Sequence, residues 1–326
     1  MNNESLFKSK EVARSWKYFM NETNYPWLRV VNIPTILKNS NTYLHFAAEA
    51  GQNNAFKKAV SEEDDKNIKN DYGETPFHLA CKKGCFKIVK LLLESINLNI
   101  NAKDNHGYTG FIRACQEGHS KVVKILIENE SILSIDLNIH GKYGRTGFCM
   151  ACLKGHSNVV KLFMEYAPSV NLNQKDNLGR TGFHMSCGWG HTNLVKIFME
   201  ISATLSIDLN TKDNVGHTAF HFACGFGCIK VAKLIMENST TLSIDLNAKD
   251  NLGQTAFHLA CKFDRFSMAK MIIEISAILS IDLNEKDNEG LTAFNRVCNH
   301  GMMKLIKNNA DIFKIDLSWP QWHKIP

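Results

Sequence analysis

Apolar residues come in short bursts at helical spacing, and two kinds of burst alternate along the chain. One kind is Phe257-His258-Leu259-Ala260-Cys261; the other is Lys121-Val122-Val123-Lys124-Ile125-Leu126-Ile127-Glu128, with apolar positions where one face of a helix would place them. A break such as Gly84, Gly118, Gly155 or Gly190 separates the two. The alternation is periodic. Gly73, Gly107, Gly144, Gly179, Gly216, Gly253 and Gly290 recur at intervals of 34, 37, 35, 37, 37 and 37 residues, the mark of a repeat array. Two residues after each stands a threonine: Thr75, Thr109, Thr146, Thr181, Thr218, Thr255 and Thr292. Threonine is a favoured helix N-cap because its hydroxyl accepts a hydrogen bond from an otherwise orphaned amide of the first turn, and a preceding glycine permits a tight turn of positive φ. Each period is therefore predicted as turn, cap, short helix, break and second helix. Helices this short are not stable alone in water, so each pair must stack on its neighbours and bury a continuous seam.

The segment Gly73-Glu74-Thr75-Pro76-Phe77-His78-Leu79-Ala80-Cys81 resembles the ankyrin-repeat family, as does Asp250-Asn251-Leu252-Gly253-Gln254-Thr255-Ala256-Phe257-His258-Leu259-Ala260-Cys261. The resemblance implies an all-α ankyrin-repeat solenoid of about eight helix-turn-helix units with β-turn or hairpin fingers, a degenerate first unit beginning at Asn41-Thr42-Tyr43-Leu44-His45. The boundaries expected are an N-terminal segment over 1–40, the array over 41–317 and a tail over 318–326. Proline at the first helical position survives only at Pro76. Gly110, Gly147 and Gly182, then Ala219, Ala256 and Ala293, replace it; glycine costs about 1 kcal/mol relative to alanine inside a helix, less at an end, so the three glycine repeats are expected to be the looser ones. Most units also exceed the family's period of about 33 residues. The excess lies in Ser134-Ile135-Asp136-Leu137-Asn138 and its counterparts at Ser206, Ser243 and Ser280. Ile and Leu two apart in an extended segment face the same way, so this loop is expected to pack down.

The net charge of +6, from 38 basic and 32 acidic residues, is spread without a block of consecutive cations. Nucleic-acid binding needs such an excess on one face, so no nucleic-acid partner is expected. No run approaches the roughly 18 apolar residues of a membrane span. The start, Met1-Asn2-Asn3-Glu4-Ser5, shows no secretory signal, and an intracellular location, cytoplasmic or nuclear, is expected.

Seven of the ten cysteines, Cys81, Cys115, Cys152, Cys187, Cys224, Cys261 and Cys298, share one repeat position. Adjacent helices about 8–10 Å apart exceed the roughly 4.4–6.8 Å Cα separation of a disulfide. Small buried hydrophobe is therefore the reading for this column, rather than zinc through Cys149/Cys152 or His-Cys pairs such as His184/Cys187. His45, His78, His184, His221 and His258 also share a position. A catalytic histidine occurs once, so hydrogen bonding within each repeat and to the next is expected of these, and His119, His156 and His191 are taken as structural too. Lys90, Lys124, Lys161, Lys196, Lys233 and Lys270 each precede a glutamate by four residues, local pairs on a solvated face. No phosphate loop, metalloprotease motif or nucleophile elbow is present. Neither an enzyme nor a cofactor is expected; a metal-dependent or redox enzyme is the remote alternative.

Function is sought where stacking does not dictate the residue. Turn tips and their neighbours supply Tyr72, His106, Tyr108, Tyr143, Arg145, Arg180 and His217. Trp189, Phe226 and Phe263, 37 residues apart, should align as an aromatic stripe on the concave side. Arg and Trp are common interface anchors, so Arg145, Arg180, Trp189, Phe226 and Phe263 form a candidate patch for an unidentified protein partner on a monomeric scaffold. For the two phenylalanines, packing on the next repeat is an equal reading. Val12-Ala13-Arg14-Ser15-Trp16-Lys17-Tyr18-Phe19, followed by Trp27, resembles the last helix of an F-box. This implies docking to a Skp-type linker of a cullin ubiquitin ligase, with the repeats holding substrate. The plainer reading is a helix covering the first repeat. Trp319 and Trp322 are candidates for a cap at the other end.

Overall fold

The computed structural model describes residues 40–62, 65–95, 97–297 and 299–318. Val12, Trp16, Phe19, Trp27, Cys298, Trp319 and Trp322 lie outside them. The chain divides into two compact units, Met1–Asn171 and Leu172–Pro326, and no strand occurs among the described residues.

Among the described residues the first unit contains four helix pairs: α1 (Tyr43–Ala50) with α2 (Asn53–Glu62), α3 (Pro76–Lys82) with α4 (Phe86–Leu93), α5 (Gly110–Gln116) with α6 (Ser120–Glu128), and α7 (Gly147–Lys154) with α8 (Ser157–Tyr166). First helices stack in the order α1, α3, α5, α7, and second helices in the order α2, α4, α6, α8. The second unit contains α9 (Gly182–Gly188) with α10 (Thr192–Ile201), α11 (Ala219–Phe226) with α12 (Ile229–Asn238), and α13 (Ala256–Lys262) with α14 (Phe266–Leu279). They stack by the same rule. A single 3-10 turn, Phe294–Arg296, stands where a first helix would follow, and α15 (His300–Phe313) packs on α14. Between the seams lie buried rings: Phe163 of α8 meets Phe111 and Phe148 edge-on at 5.8 and 5.4 Å.

Histidine staples hold successive repeats together. In each of α1, α3, α9, α11 and α13 the threonine cap and the histidine three residues on form a capping box. The ring's Nδ1 accepts from the threonine amide, 3.2 Å in His221, while its Nε2 donates to a carbonyl of the next repeat. His45 reaches Glu74 O at 2.9 Å, His78 Tyr108 O at 3.1 Å, His184 His217 O at 3.1 Å and His258 Leu291 O at 3.2 Å. At the last of the threonine caps an amide substitutes for histidine: Asn295 accepts from Thr292 through Oδ1 and donates through Nδ2 to Ser318 O, whereas Thr109 and Thr146 have Ile112 and Cys149 three residues on, whose backbone amides donate to the threonine hydroxyl. Burial holds the rings neutral, pulling His45 and His221 down to about 4 and the others below their ordinary value. The expected role for this column is borne out.

A second set of staples was not expected from the sequence. Asn247 donates to Ser280 O at 2.9 Å and accepts from Asp282 N at 3.0 Å. Asn101, Asn210 and Asn284 make the same two bonds to the following repeat. Their carbonyl targets, Ser134, Ser243, Ser280 and Lys314, all have positive φ near 50°. The loops behind these staples pack down as expected, with Ile135, Leu137, Ile244, Leu246, Ile281 and Leu283 buried.

At Gly110 and Gly147 glycine has a packing role beyond the expectation of looser repeats. A Cβ on Gly110 would lie 2.6 Å from the Phe77 ring, and one on Gly147 would lie 2.9 Å from Phe111. Glycine here makes room for the aromatic ring of the preceding repeat. Gly110→Ala should therefore destabilise the protein by about 1–2 kcal/mol through overpacking, read as a lower urea midpoint. Helix propensity alone demands the opposite sign.

Neutral histidine staples also set a pH dependence. In the unfolded chain these rings protonate near 6.5, whereas in the fold His45 and His221 stay neutral to about 4 and burial lowers His78, His184 and His258 in the same direction. The unfolded state binds more protons within that window, so stability is complete above about pH 6.5 and declines as pH falls towards 4. The urea midpoint should be flat from pH 7 to 8 and fall through pH 6 to 4.5, above the range where most carboxylates titrate. Replacing His221 and His258 with Asn should flatten this part of the profile.

Candidate functional site

Fingers project between the helix pairs, and one carboxylate closes most of them. Asp104, Asp176, Asp213, Asp250 and Asp287 each accept, through Oδ1, from the amides two and four residues on. Successive fingers are linked by asparagines such as Asn251, whose amide hydrogens reach Val215 O and Asn214 O. The residue two past each aspartate is thereby turned outward. Tyr72, His106 and Tyr143 in the first unit, and Leu178, Val215 and Leu252 in the second, are all exposed tips.

Tyr108, expected beside them, is buried. Its ring fills the space left by Gly141, where a Cβ would come within 2.3 Å, and packs on Ile112 and Met150. The Arg113 guanidinium covers it at 4.6 Å. Tyr108 is thus a core residue, placed by a glycine 33 positions later. Arg180 is half-buried and bidentate to Asp176 Oδ2, at 3.1 and 2.7 Å. Burial disfavours that carboxylate, but the bonds from Arg180 outweigh it and hold the carboxyl below its usual range. Arg180 shapes its finger as well as facing outward. Arg145 lies in the first unit, with Arg180, Trp189, Phe226 and Phe263 in the second.

Trp189, Phe226 and Phe263 are exposed by 68, 63 and 50%. The packing that the phenylalanines do make is on their own and the preceding repeat rather than on the next one. Phe226 stacks on Phe222 at 6.0 Å and passes close over Gly188, while Phe263 does the same over Gly225. Glycine at 188 and 225 lets the next ring lie down along the surface. Phe222, Phe226, Leu259 and Phe263 then line a groove of about 420 Å³ with almost wholly apolar walls, rimmed by His217 and Arg265. His217 is anchored there by its Nε2, 3.2 Å from Asp250 Oδ2, and Arg265 by an Nε hydrogen bond of 2.9 Å to Gly225 O. Phe222, Leu259 and Arg265 were not singled out from the sequence. The available signal was the repeat register, in which Phe222 takes the place of Leu79 and Arg265 that of His119 and His156.

The reactive residue types are committed elsewhere. Cys81, Cys115, Cys187, Cys224 and Cys261 are buried free thiols whose pKa burial pushes up, so they are small hydrophobes rather than nucleophiles. His119 and His156 donate from Nε2 to Lys82 O and Gln116 O at 2.9 Å. Among the described residues no group of three or more His, Cys, Asp or Glu could hold a metal ion. Nor is any helix there long and apolar enough to cross a membrane. The expected Lys-Glu pairs close to 3.8 Å at Lys124–Glu128, Lys233–Glu237 and Lys270–Glu274, all on the exposed face.

Solved structures similar to this one include the human ASB11 ankyrin repeat domain, at TM-score 0.58 and 22% identity over 68% of this chain and 92% of that one. The ankyrin repeat domain of Bcl-3, a member of the IkappaB protein family, matches at TM-score 0.58 and 20% identity, covering 71% of this chain and 98% of that one. At these identities the likeness concerns the fold. No curated relative matches the sequence. The family described as Ankyrin repeats (3 copies) matches residues 44–140, 130–213, 148–250 and 204–286. With most of its length inside those matches, and with the threonine caps and histidine staples in register, the chain belongs to the ankyrin-repeat family.

Proposed function

We propose that this chain is a non-catalytic protein-binding scaffold and that the groove of the second unit seats an apolar anchor of its partner. The observation carrying this reading is the exposure of Phe226 and Phe263 along a groove floored by Phe222 and Leu259. Large rings left in water cost solvation free energy, about 25 cal/mol per Å² of apolar surface, which a partner covering them would recover. Nothing in the stacking needs aromatic rings there, since the same register position holds Lys83, Glu117 and Lys154 in the first unit. Trp189 occupies that position one repeat earlier than Phe226 and extends the apolar stripe. The scaffold is taken to work inside the cell as a monomer, with its thiols reduced and its histidines neutral.

A second reading rests on the F-box-like run from Val12 through Trp16 to Phe19. In that case the chain would be a substrate adaptor of a cullin ubiquitin ligase, and the groove would hold the substrate. The two readings share the groove and differ in the N-terminal segment. Trp16→Ala should abolish pull-down of a Skp-type protein under the adaptor reading, and change nothing under the plain scaffold.

Trp189→Ala and Phe226→Ala should each weaken capture of the partner in an affinity experiment by roughly tenfold, the loss expected of an interface anchor, with helical content and melting unchanged. Unchanged capture by the double variant, with folding intact, overturns the assignment of the groove.

A further inference from the structure

The groove of the second unit is apolar along its walls, and one residue of its rim carries more hydrogen-bond donors than the fold uses. The register position four past the buried cysteine sends a bond back to a carbonyl of the preceding repeat. His119 and His156 make it through Nε2, and Cys228 through its thiol, 3.3 Å from Gly188 O. Arg265 fills this position after α13 and makes the same bond through Nε, 2.9 Å from Gly225 O. A neutral histidine or a cysteine has one hydrogen to give and uses it there; arginine has five. The four on Nη1 and Nη2 have no hydrogen-bond or ion-pair partner among the described residues. The stem is held too, with Cδ only 3.2 Å from where a Cβ on Gly227 would lie. A guanidinium fixed at its stem and its Nε has little freedom left to lose on binding.

Neighbouring carboxylates leave that charge in place. Asp264 is exposed and forms no ion pair with Arg265 among the described residues. Asp250, behind His217, is buried, with Oδ2 at 3.2 Å from the His217 ring. A second cation, Lys262, stands over the Phe263 ring of the groove wall at 5.8 Å. A large apolar side chain and an anion are thus both accommodated at one opening. The apolar stripe runs on past the groove to Trp189, which suits a segment crossing the repeats rather than a chain end.

We propose that the groove recognises a partner segment in which a large apolar residue stands within a few residues of an aspartate or glutamate. The apolar side chain lies on Phe222 and Leu259 between the rings of Phe226 and Phe263, and the carboxylate accepts from the open Nη hydrogens of Arg265. This rests on the reading of the groove as the partner's seat and adds the partner's chemistry. Two parallel N–H groups match the two oxygens of a carboxylate, a geometry that arginine provides and lysine does not.

The test is selection on the full chain from a random-peptide phage library, the selected peptides then being measured by fluorescence anisotropy under conditions that keep imidazole neutral. They should pair a large apolar residue with a nearby acidic one. Replacing that acid by its amide should weaken binding roughly tenfold, as loss of a charge-assisted hydrogen bond implies. Arg265→His keeps the bond to Gly225 O in the manner of His119 and His156, so the melting curve should hold while acid and amide peptides bind alike. Should it melt early, Arg265→Cys, the residue of the preceding repeat, takes its place. Selected peptides without an acidic residue, or a preference for acid over amide that survives loss of the guanidinium, overturn this proposal. The groove reading then still stands if Phe226→Ala removes binding. Failure to select any peptide, or equal binding by Phe226→Ala, overturns the groove reading and this proposal with it.

Discussion

A neutral imidazole bridging two backbones is the interaction on which the architecture depends. The threonine cap accepts the amide that starts each first helix, and the same threonine's own amide donates to the ring. The far nitrogen of the ring then reaches the next repeat's finger. One side chain thus fixes a helix start, a finger position and the distance between repeats. It can do so only with one nitrogen bare and the other protonated, which is the state that burial enforces. Buried polar groups are costly unless satisfied, and here satisfaction is available only when the neighbouring repeat is in place. Wherever a histidine staple stands, folding of one helix pair is accordingly tied to folding of the next.

Much of this was legible because it repeats. Seven glycine–threonine pairs located the fingers and caps, and a column of five histidines announced its structural role by recurring. What stayed hidden depended on which residue lies across the gap in the adjoining repeat. Tyr108 read as a tip neighbour and proved to be core, because Gly141, 33 positions on, vacates the space its ring enters. Gly110 read as a weak helix start and proved to be a seat for Phe77. The asparagine staples were in view as a recurrent Ser-Ile-Asp-Leu-Asn, but their partners are backbone atoms, which carry no sequence signature. The groove was half legible: the aromatic stripe was visible in register, whereas its floor at Phe222 and Leu259 required coordinates.

The two units share a frame and differ in how they are decorated. The first has aromatic and cationic fingers and charged residues at the end of its inner helices. The second has aliphatic finger tips at Leu178, Val215 and Leu252, an acidic one at Glu289, and aromatic rings at the equivalent helix ends. Such contrast within one frame is what a modular binding protein needs, since side chains outside the seam change without disturbing the staples. It also explains why the recurrent cysteine and histidine columns, rich in chemistry, are uninformative about function here: the seam uses them.

The asparagine staples have a further consequence for the history of the chain. Asn210, Asn247 and Asn284 present the same amide to the same kind of left-handed loop, whether that loop belongs to Ser243, Ser280 or Lys314. The connectors at the two edges of a module are thus interchangeable. Duplication or excision of one 37-residue stretch rejoins matching plugs and sockets, leaving every remaining bond with a legitimate mate. Array length can therefore drift through unequal genetic recombination, and reading heads of new shape arise by copying old ones.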